Sequence, residues 1–141
     1  MENKKNTSLE ELITSFSEQN KSPNEIIVAL LFKARTDIHL THIAQSDKTL
    51  ATHQALAMFY EDVLDKIDTF LETSIGINDS VNVPDVPGSS TIEEPLDYFK
   101  GLYNSIQTLR ADIQESFLQN QIDEMQQLIA HTMYRLKKIT S

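Results

Sequence analysis

The chain has 141 residues, of which 40% are apolar and 23% are charged. This composition is typical of one soluble domain that closes a hydrophobic core without help from metals or disulfides. Cysteine is absent, which excludes disulfides, thiolate zinc sites, iron–sulfur clusters and a thiolate nucleophile. Twelve basic residues against 21 acidic residues give a net charge of -9, which opposes binding of the folded body to nucleic acid or to an anionic membrane.

Several other classes of protein are also disfavoured. No apolar run reaches the roughly 18 residues that a membrane span needs, and the polar N-terminus does not resemble a signal peptide. The three glycines do not form a phosphate-binding loop or a dinucleotide fingerprint, and neither a nucleophile elbow nor an HExxH helix is present. A metal site in this chain would have to use histidine and carboxylate ligands.

The spacing of apolar residues predicts an all-α protein, since they recur every three or four positions through long segments with little glycine or proline. Ser8 and Glu11 have the spacing of a capping box, which predicts a short first helix. Ser22, followed by a proline and then by Glu25, is a stronger helix start, and helix A is predicted over residues 22–44.

The pattern breaks at residues 46–48, and a long connection with two prolines is predicted at residues 77–92. Asn120 is the predicted break before the last helix. Three further helices are predicted, B over residues 50–76, C from residues 91–95 to Phe117, and D over residues 122–139.

These elements predict a four-helix bundle domain at residues 22–141, preceded by an N-terminal extension at residues 1–21. The long middle connection favours a crossover between the two helix pairs, which is the ferritin-like arrangement. An up-and-down bundle with the same helices stays open as an alternative.

Histidines cluster around the predicted turn between helices A and B. His39 and His42 end helix A, and His53 begins helix B, so antiparallel helices would bring His42 and His53 to the same end. Asp68 and Glu72 lie one turn apart on one face of helix B, and such a carboxylate pair suits a hard cation such as ferrous iron.

One chain cannot bring these four residues to one ion. Asp68 follows His53 by 15 positions, which corresponds to about 22 Å along a continuous helix. A two-fold dimer with antiparallel B helices would instead place the histidines of one subunit beside Asp68 and Glu72 of the other. The residues therefore predict an intersubunit site or no site.

The segment from His42 to Gly76 resembles the ferroxidase segment of the Dps family of mini-ferritins. Members have a histidine at the end of helix A, a second about a dozen residues later, and an Asp-x-x-x-Glu pair that follows the second histidine by fifteen. In this chain the intervals are 11 and 15. Residues 120–136 resemble a group of small Dps-like proteins encoded by bacteriophages.

The resemblance implies a ferritin-like fold and a homo-oligomer, from a dimer up to a dodecameric shell that stores iron. It implies that His42 and His53 bind iron from one subunit and Asp68 and Glu72 from its two-fold mate. The same four residues would be catalytic, since the bound ferrous iron would be oxidised by peroxide or dioxygen. It also implies a cytoplasmic protein, in the host cell if a phage encodes it, with virion association left open.

Some positions depart from the Dps pattern and favour a second hypothesis. Ile43 stands where an aromatic residue is common, and Ala57 stands where many members have an aspartate, with Glu61 one turn later as a substitute. These departures and the shorter first interval favour a catalytically silent, phage-encoded bundle that acts as a structural or protein-interaction module. Lys4 and Lys5 alone represent the basic tail of DNA-binding members, so direct DNA binding is not expected.

The remaining polar residues have simpler interpretations. His39 and His131 have no matched partner, and the four tyrosines are expected in the core or at an interface. Residues 61–97 contain ten acids and one lysine, which predicts a solvated surface. In an assembled cage the same surface would concentrate ferrous ions near the sites.

Overall fold

The computed structural model describes residues 8–45 and 49–139, and this part of the chain is all-helical, with no strand. Lys4, Lys5 and the predicted break at residues 46–48 lie outside the described residues. Within the described ranges, no helix is long and apolar enough to cross a membrane. The five helices are α1 (Leu9–Glu18), α2 (Pro23–Ala44), α3 (Leu50–Ile77), α4 (Pro95–Arg110) and α5 (Ser116–Ile139).

Two capping boxes start the first two helices, as the sequence predicts. Ser8 Oγ accepts from the backbone N–H of Glu11 at 3.1 Å, and Ser22 Oγ accepts from that of Glu25 at 3.2 Å. In the second box, Glu25 Oε1 accepts in turn from the backbone N–H of Ser22 at 2.9 Å. Such caps contribute about 1 kcal/mol each because they satisfy amides that the helix leaves unpaired.

The predicted boundary between the last two helices is wrong. The chain leaves helix at Arg110 and re-enters it at Ser116, whereas the sequence predicted one helix through Phe117 and a break at Asn120. Two backbone bonds of the i to i−3 type make the turn. Ile113 lies within this turn, yet its side chain is buried, so it continues the apolar spacing of a helix where no helix exists. Phe117, expected in the core, is 46% exposed.

The four longer helices surround one core, and each packs against two neighbours. Helix α2 packs against α3 and α4, and α5 packs against the same two helices, while α1 covers part of α2. Helices α3 and α4 face each other across the core, where the rings of Phe59 and Phe99 meet edge to face with centroids 4.8 Å apart. The core is therefore shared by all four long helices.

Cross-links between helices define their directions. Asn24, at the start of α2, donates to Ser74, near the end of α3, at 3.0 Å, so these helices are antiparallel. Thr73, near the end of α3, accepts from Gln121, near the start of α5, at 3.4 Å. The short turn at residues 111–115 makes α4 and α5 antiparallel as well. Helices α2 and α5 thus run in one direction, and α3 and α4 run in the other.

The connection between α3 and α4 follows α2 from one end toward the other. Asn82 at its beginning is bonded to Glu25, and Ile92 near its end is bonded to Thr41. The 16 helical positions between these partners on α2 span about 24 Å, and ten residues of extended chain reach at most about 36 Å. The connection is therefore largely extended.

A polar stripe holds this connection; its members on α2 are buried, and its last member, Gln45, is half-buried just after the helix. Its members are spaced at multiples of four residues, and in the connection they bind backbone groups rather than side chains. They therefore fix the path of the connection with little dependence on the side chains that it carries. The bonds are Glu25 Oε2 from Asn82 N (3.1 Å), Lys33 Nζ to Gly88 O (3.0 Å), Asp37 Oδ1 from Ser90 N (3.0 Å), Thr41 Oγ1 from Ile92 N (2.8 Å) and Gln45 Nε2 to Ile92 O (3.3 Å).

Lys33 and Asp37 form an ion pair inside the protein. They are 2% and 1% exposed, and Nζ lies 3.2 Å from Oδ2. Tyr98 of α4 donates its hydroxyl to the same carboxylate oxygen at 2.6 Å. Burial, together with the charge of Asp37 and this hydrogen bond, raises the pKa of Tyr98 well above its ordinary value. Asp37 therefore joins α2, the connection and α4 through one carboxylate.

Candidate metal centre at the histidine pair

His42 and His53 come together where α2 ends and α3 begins. Thr49 caps α3 by accepting from the backbone N–H of Thr52 at 3.1 Å, which sets His53 in the first turn of the helix. The two imidazole rings stack with centroids 3.5 Å apart and planes inclined by 22°. The sequence prediction that these histidines meet at one end of an antiparallel pair is therefore confirmed within one chain.

Reciprocal hydrogen bonds hold the two rings. His42 Nδ1 bonds the carbonyl oxygen of His53 at 2.8 Å, and His53 Nδ1 bonds the carbonyl oxygen of His42 at 3.1 Å. A carbonyl oxygen only accepts, so each Nδ1 carries the proton. A neutral ring in this arrangement has its lone pair on Nε2. Metal-binding histidines are usually oriented in this way, by a bond from the other ring nitrogen to a carbonyl or carboxylate.

Tyr60 and His39 extend the stack along the groove between α2 and α3. The ring of Tyr60 meets that of His42 edge to face at 5.3 Å, and the ring of His39 stacks on Tyr60 at 4.1 Å. Arg35 Nε donates to the carbonyl oxygen of Tyr60 at 3.2 Å. The sequence alone predicts no partner for His39. The spacing does indicate this contact. His39 and His42 are three residues apart on α2, and His53 and Tyr60 are seven apart on α3, so each pair lies on one face of its helix.

Asp68 and Glu72 do not join the histidines within one chain. Both are exposed on α3, and Asp68 lies about 22 Å along this continuous helix from His53. Among residues 8–45 and 49–139, no group of three or more histidine and carboxylate side chains is arranged to hold a metal ion. The geometry of one chain thus supplies an oriented nitrogen pair and, separately, a carboxylate pair.

The carboxylates belong to a longer acidic stripe on the outer face of α3. Its four members are exposed and follow one another at intervals of four, three and four residues, which keeps them on one helix face. Lys66, on the same helix, borders a groove toward α5 together with Asp65 of the stripe. The acidic stripe consists of Glu61, Asp65, Asp68 and Glu72.

His131 and the buried ion pair of Lys33 with Asp37 lie away from the pair of His42 and His53. His131 is exposed on α5 and lines an open groove together with Glu61, Asp65 and Glu124. A cavity of about 410 Å³ between α1 and α4 is bordered by Lys33 and other residues of the buried network. The charges of Lys33 and its carboxylate partner compensate each other, which is typical of a structural element.

The comparisons with known proteins identify a family. Residues 45–136 match a family described as a family of unknown function, DUF5856. The matched segment contains α3, the connection, α4 and most of α5, including His53, Asp68 and Glu72, and it begins just after His42. No curated protein and no solved structure matches the chain. Since the match covers about two thirds of its length, the chain belongs to the DUF5856 family.

Proposed function

We propose that the protein is a Dps-like, ferritin-fold protein that binds ferrous iron at sites between subunits and oxidises it with peroxide or dioxygen. The observation that carries this proposal is the histidine pair. Both rings of His42 and His53 use Nδ1 to bond a carbonyl oxygen, and this leaves Nε2 of each ring as the atom that can bind iron.

The packing order of the helices supports a ferritin-like bundle with a crossover between α3 and α4. In an up-and-down bundle joined by short turns, helices that follow each other in the chain are neighbours. Here α3 and α4 face each other across the core, while α2 packs against α4 and α3 against α5. That order, with α2 and α5 running one way and α3 and α4 the other, is the one expected when a long crossover joins two helix pairs.

The two halves of the site are completed by a second copy of the chain. A two-fold axis between antiparallel α3 helices brings Asp68 and Glu72 of one subunit to His42 and His53 of the other, and it builds two equivalent sites. Imidazole nitrogen and carboxylate oxygen are suitable ligands for iron, and carboxylate oxygens favour the ferric product. Two ferrous ions reduce one hydrogen peroxide, each giving one electron, and two protons are consumed as two water molecules form.

The proposed assembly is a homo-oligomer of at least a dimer, and a closed shell of twelve subunits would add iron storage. The acidic surface suits a protein that attracts ferrous ions in the cytoplasm. It does not suit direct binding to DNA, since a net charge of -9 repels phosphate.

A silent structural or protein-interaction module is the second candidate. It is favoured by two departures from the Dps pattern, Ile43 in place of an aromatic residue and the shorter interval between His42 and His53. Ala57, at the position of an additional carboxylate in many Dps proteins, points in the same direction. Under this hypothesis the histidine pair only closes the turn between α2 and α3.

Isosteric substitution of the carboxylates separates the two candidates. We expect Asp68→Asn with Glu72→Gln to weaken ferrous binding by at least about tenfold and to abolish rapid oxidation, with the oligomer mass unchanged at high protein concentration. The matched control is Asp112→Asn with Glu115→Gln, which removes the same charges from exposed positions in the turn before α5 and should behave like the wild type. Unchanged iron binding and oxidation in the first variant would overturn the proposal.

A further inference from the structure

The open cavity between α1 and α4 has the size of a small-molecule site. Its volume is about 410 Å³, and sites for small ligands measure about 300 to 1,000 Å³. The start of α1 forms one side and the middle of α4 forms the other, while α2 and the end of the connection lie at the floor. A molecule bound here would therefore touch four separate parts of the chain.

The floor of the cavity is polar, ordered and electrically neutral. Lys33 and Asp37 border the cavity, although they are only 2% and 1% exposed. Asp37 Oδ1 accepts from the backbone N–H of Ser90, and its Oδ2 accepts from the hydroxyl of Tyr98. Both oxygens also lie near the ammonium group of Lys33. Because these groups satisfy one another, the floor offers a ligand a fixed shape and no net charge.

The rim of the cavity is acidic. The exposed carboxylates of Glu10 and Glu11 on α1 and of Asp97 on α4 border the opening, and these three residues form the acidic rim. Among the described residues that border the cavity, Lys33 is the one basic residue, and Asp37 compensates its charge. Charge complementarity therefore favours a cationic ligand over an anionic one.

Gly101 leaves space in the side that α4 forms. It lies in the middle of this helix and borders the cavity, at a position where glycine is less favourable than alanine. It does not have a positive φ, and a Cβ atom added to it would meet nothing within 4 Å. Neither the backbone conformation nor the packing of the described residues thus requires a glycine here. Close approach of a ligand to the helix does explain it.

We propose that this cavity binds a small aliphatic amine. The ammonium group lies at the acidic rim, and the methylene groups pack against Leu9 and Ile92, which give the cavity its apolar surface. The space beside Gly101 admits the aliphatic chain. None of these residues belongs to the proposed iron site, so amine binding and ferrous binding are independent of each other.

Isothermal titration calorimetry at low salt tests the proposal with cadaverine, a five-carbon diamine, and with the neutral diol of the same length. We expect saturable binding of the diamine and none of the diol at equal concentration, because only the ammonium groups pair with the acidic rim. Asp97→Asn should weaken diamine binding about threefold. The matched control, Asp112→Asn, removes one charge from an exposed position in the turn before α5 and should match the wild type. No binding of the diamine, or equal binding of the diol, would overturn the proposal.

Gly101→Leu separates the cavity from the rest of the acidic surface. Its side chain occupies the open space beside α4, so diamine binding should fall by about tenfold or more, while ferrous binding should be unchanged. Gly76→Leu is the matched control, since Gly76 also has nothing within 4 Å but lies near the end of α3, away from the cavity. Diamine binding that is equally strong in Gly101→Leu and in the wild type would place the amine elsewhere and overturn the proposal.

Gly101→Ala tests the same position with a smaller change. It should raise the melting temperature of the ligand-free protein, because alanine is the better helix former, and it should still weaken diamine binding. A lower melting temperature would show that the chain itself requires the glycine, and it would overturn the role of Gly101 in admitting a ligand.

Discussion

Replacing Lys33 by methionine should destabilise the protein strongly, because it leaves a buried carboxylate without its countercharge. Asp37 is 1% exposed and would lose an ammonium group at 3.2 Å, and Gly88 would lose a donor at 3.0 Å. Removing one partner of a buried ion pair costs about 3–5 kcal/mol. Asp37 keeps its bonds from Ser90 and Tyr98, so we expect the lower end, about 3 kcal/mol, or a melting temperature lower by about 10 °C.

Urea denaturation followed by circular dichroism measures this change in the free energy of unfolding. Lys100→Met is the control, since Lys100 is exposed on α4 and its replacement should stay within about 0.5 kcal/mol of the wild type. Adding Asp37→Asn to Lys33→Met removes the unpaired charge and keeps one acceptor oxygen, for either Tyr98 or Ser90. The double variant should therefore regain about 1 kcal/mol or more. A Lys33→Met variant as stable as the control would refute the reasoning.

Two further predictions concern acid stability and the core. Burial alone would raise the pKa of Glu25, but hydrogen bonds from the backbone N–H groups of Ser22 and Asn82 outweigh it and lower the pKa below 4.5. Glu25 therefore adds stability above about pH 4.5, and this stability is lost as the pH falls through its folded-state pKa. Denaturation curves measured from pH 7 to pH 3 should show a smaller loss of unfolding free energy for Glu25→Gln than for the wild type. Equal losses in the two proteins would contradict this prediction. Phe59→Ala should lower the free energy of unfolding by about 3–5 kcal/mol, measured by calorimetry or denaturant, because it leaves a cavity against Phe99 in the core. A decrease below about 1 kcal/mol would contradict this prediction and show that the core collapses into the space.

Local signals made much of the helical structure predictable. The capping boxes at Ser8 and Ser22 act within four residues, so the starts of α1 and α2 could be read directly. The end of α4 could not, because buried Ile113 maintains helical spacing through a turn. The polar stripe of α2 was missed for a related reason. Polar residues at multiples of four suggest a solvated face, yet here they bind the backbone of a connection that is about 50 residues distant in the sequence.

The candidate site was predictable only in part. Antiparallel packing brings His42 and His53 together, and this followed from their positions at the ends of two helices. Their reciprocal bonds, and the stacking of His39 on Tyr60, depend on the rotation of each helix about its axis, which spacing alone constrains weakly. The contribution of Asp68 and Glu72 from a second subunit stays a prediction, because it depends on an interface between copies.

The most direct test of the central claim is an anaerobic ferrous titration of the purified protein, with mass measured by light scattering and ferric absorbance recorded after peroxide is added. The account predicts about one ferrous ion bound for each pair of His42 and His53, in a dimer or larger assembly, followed by rapid oxidation. It also predicts loss of both signals in the variant that combines Asp68→Asn with Glu72→Gln. Ferrous binding no stronger in the wild type than in that variant would contradict the account and leave the structural or protein-interaction module as the candidate function.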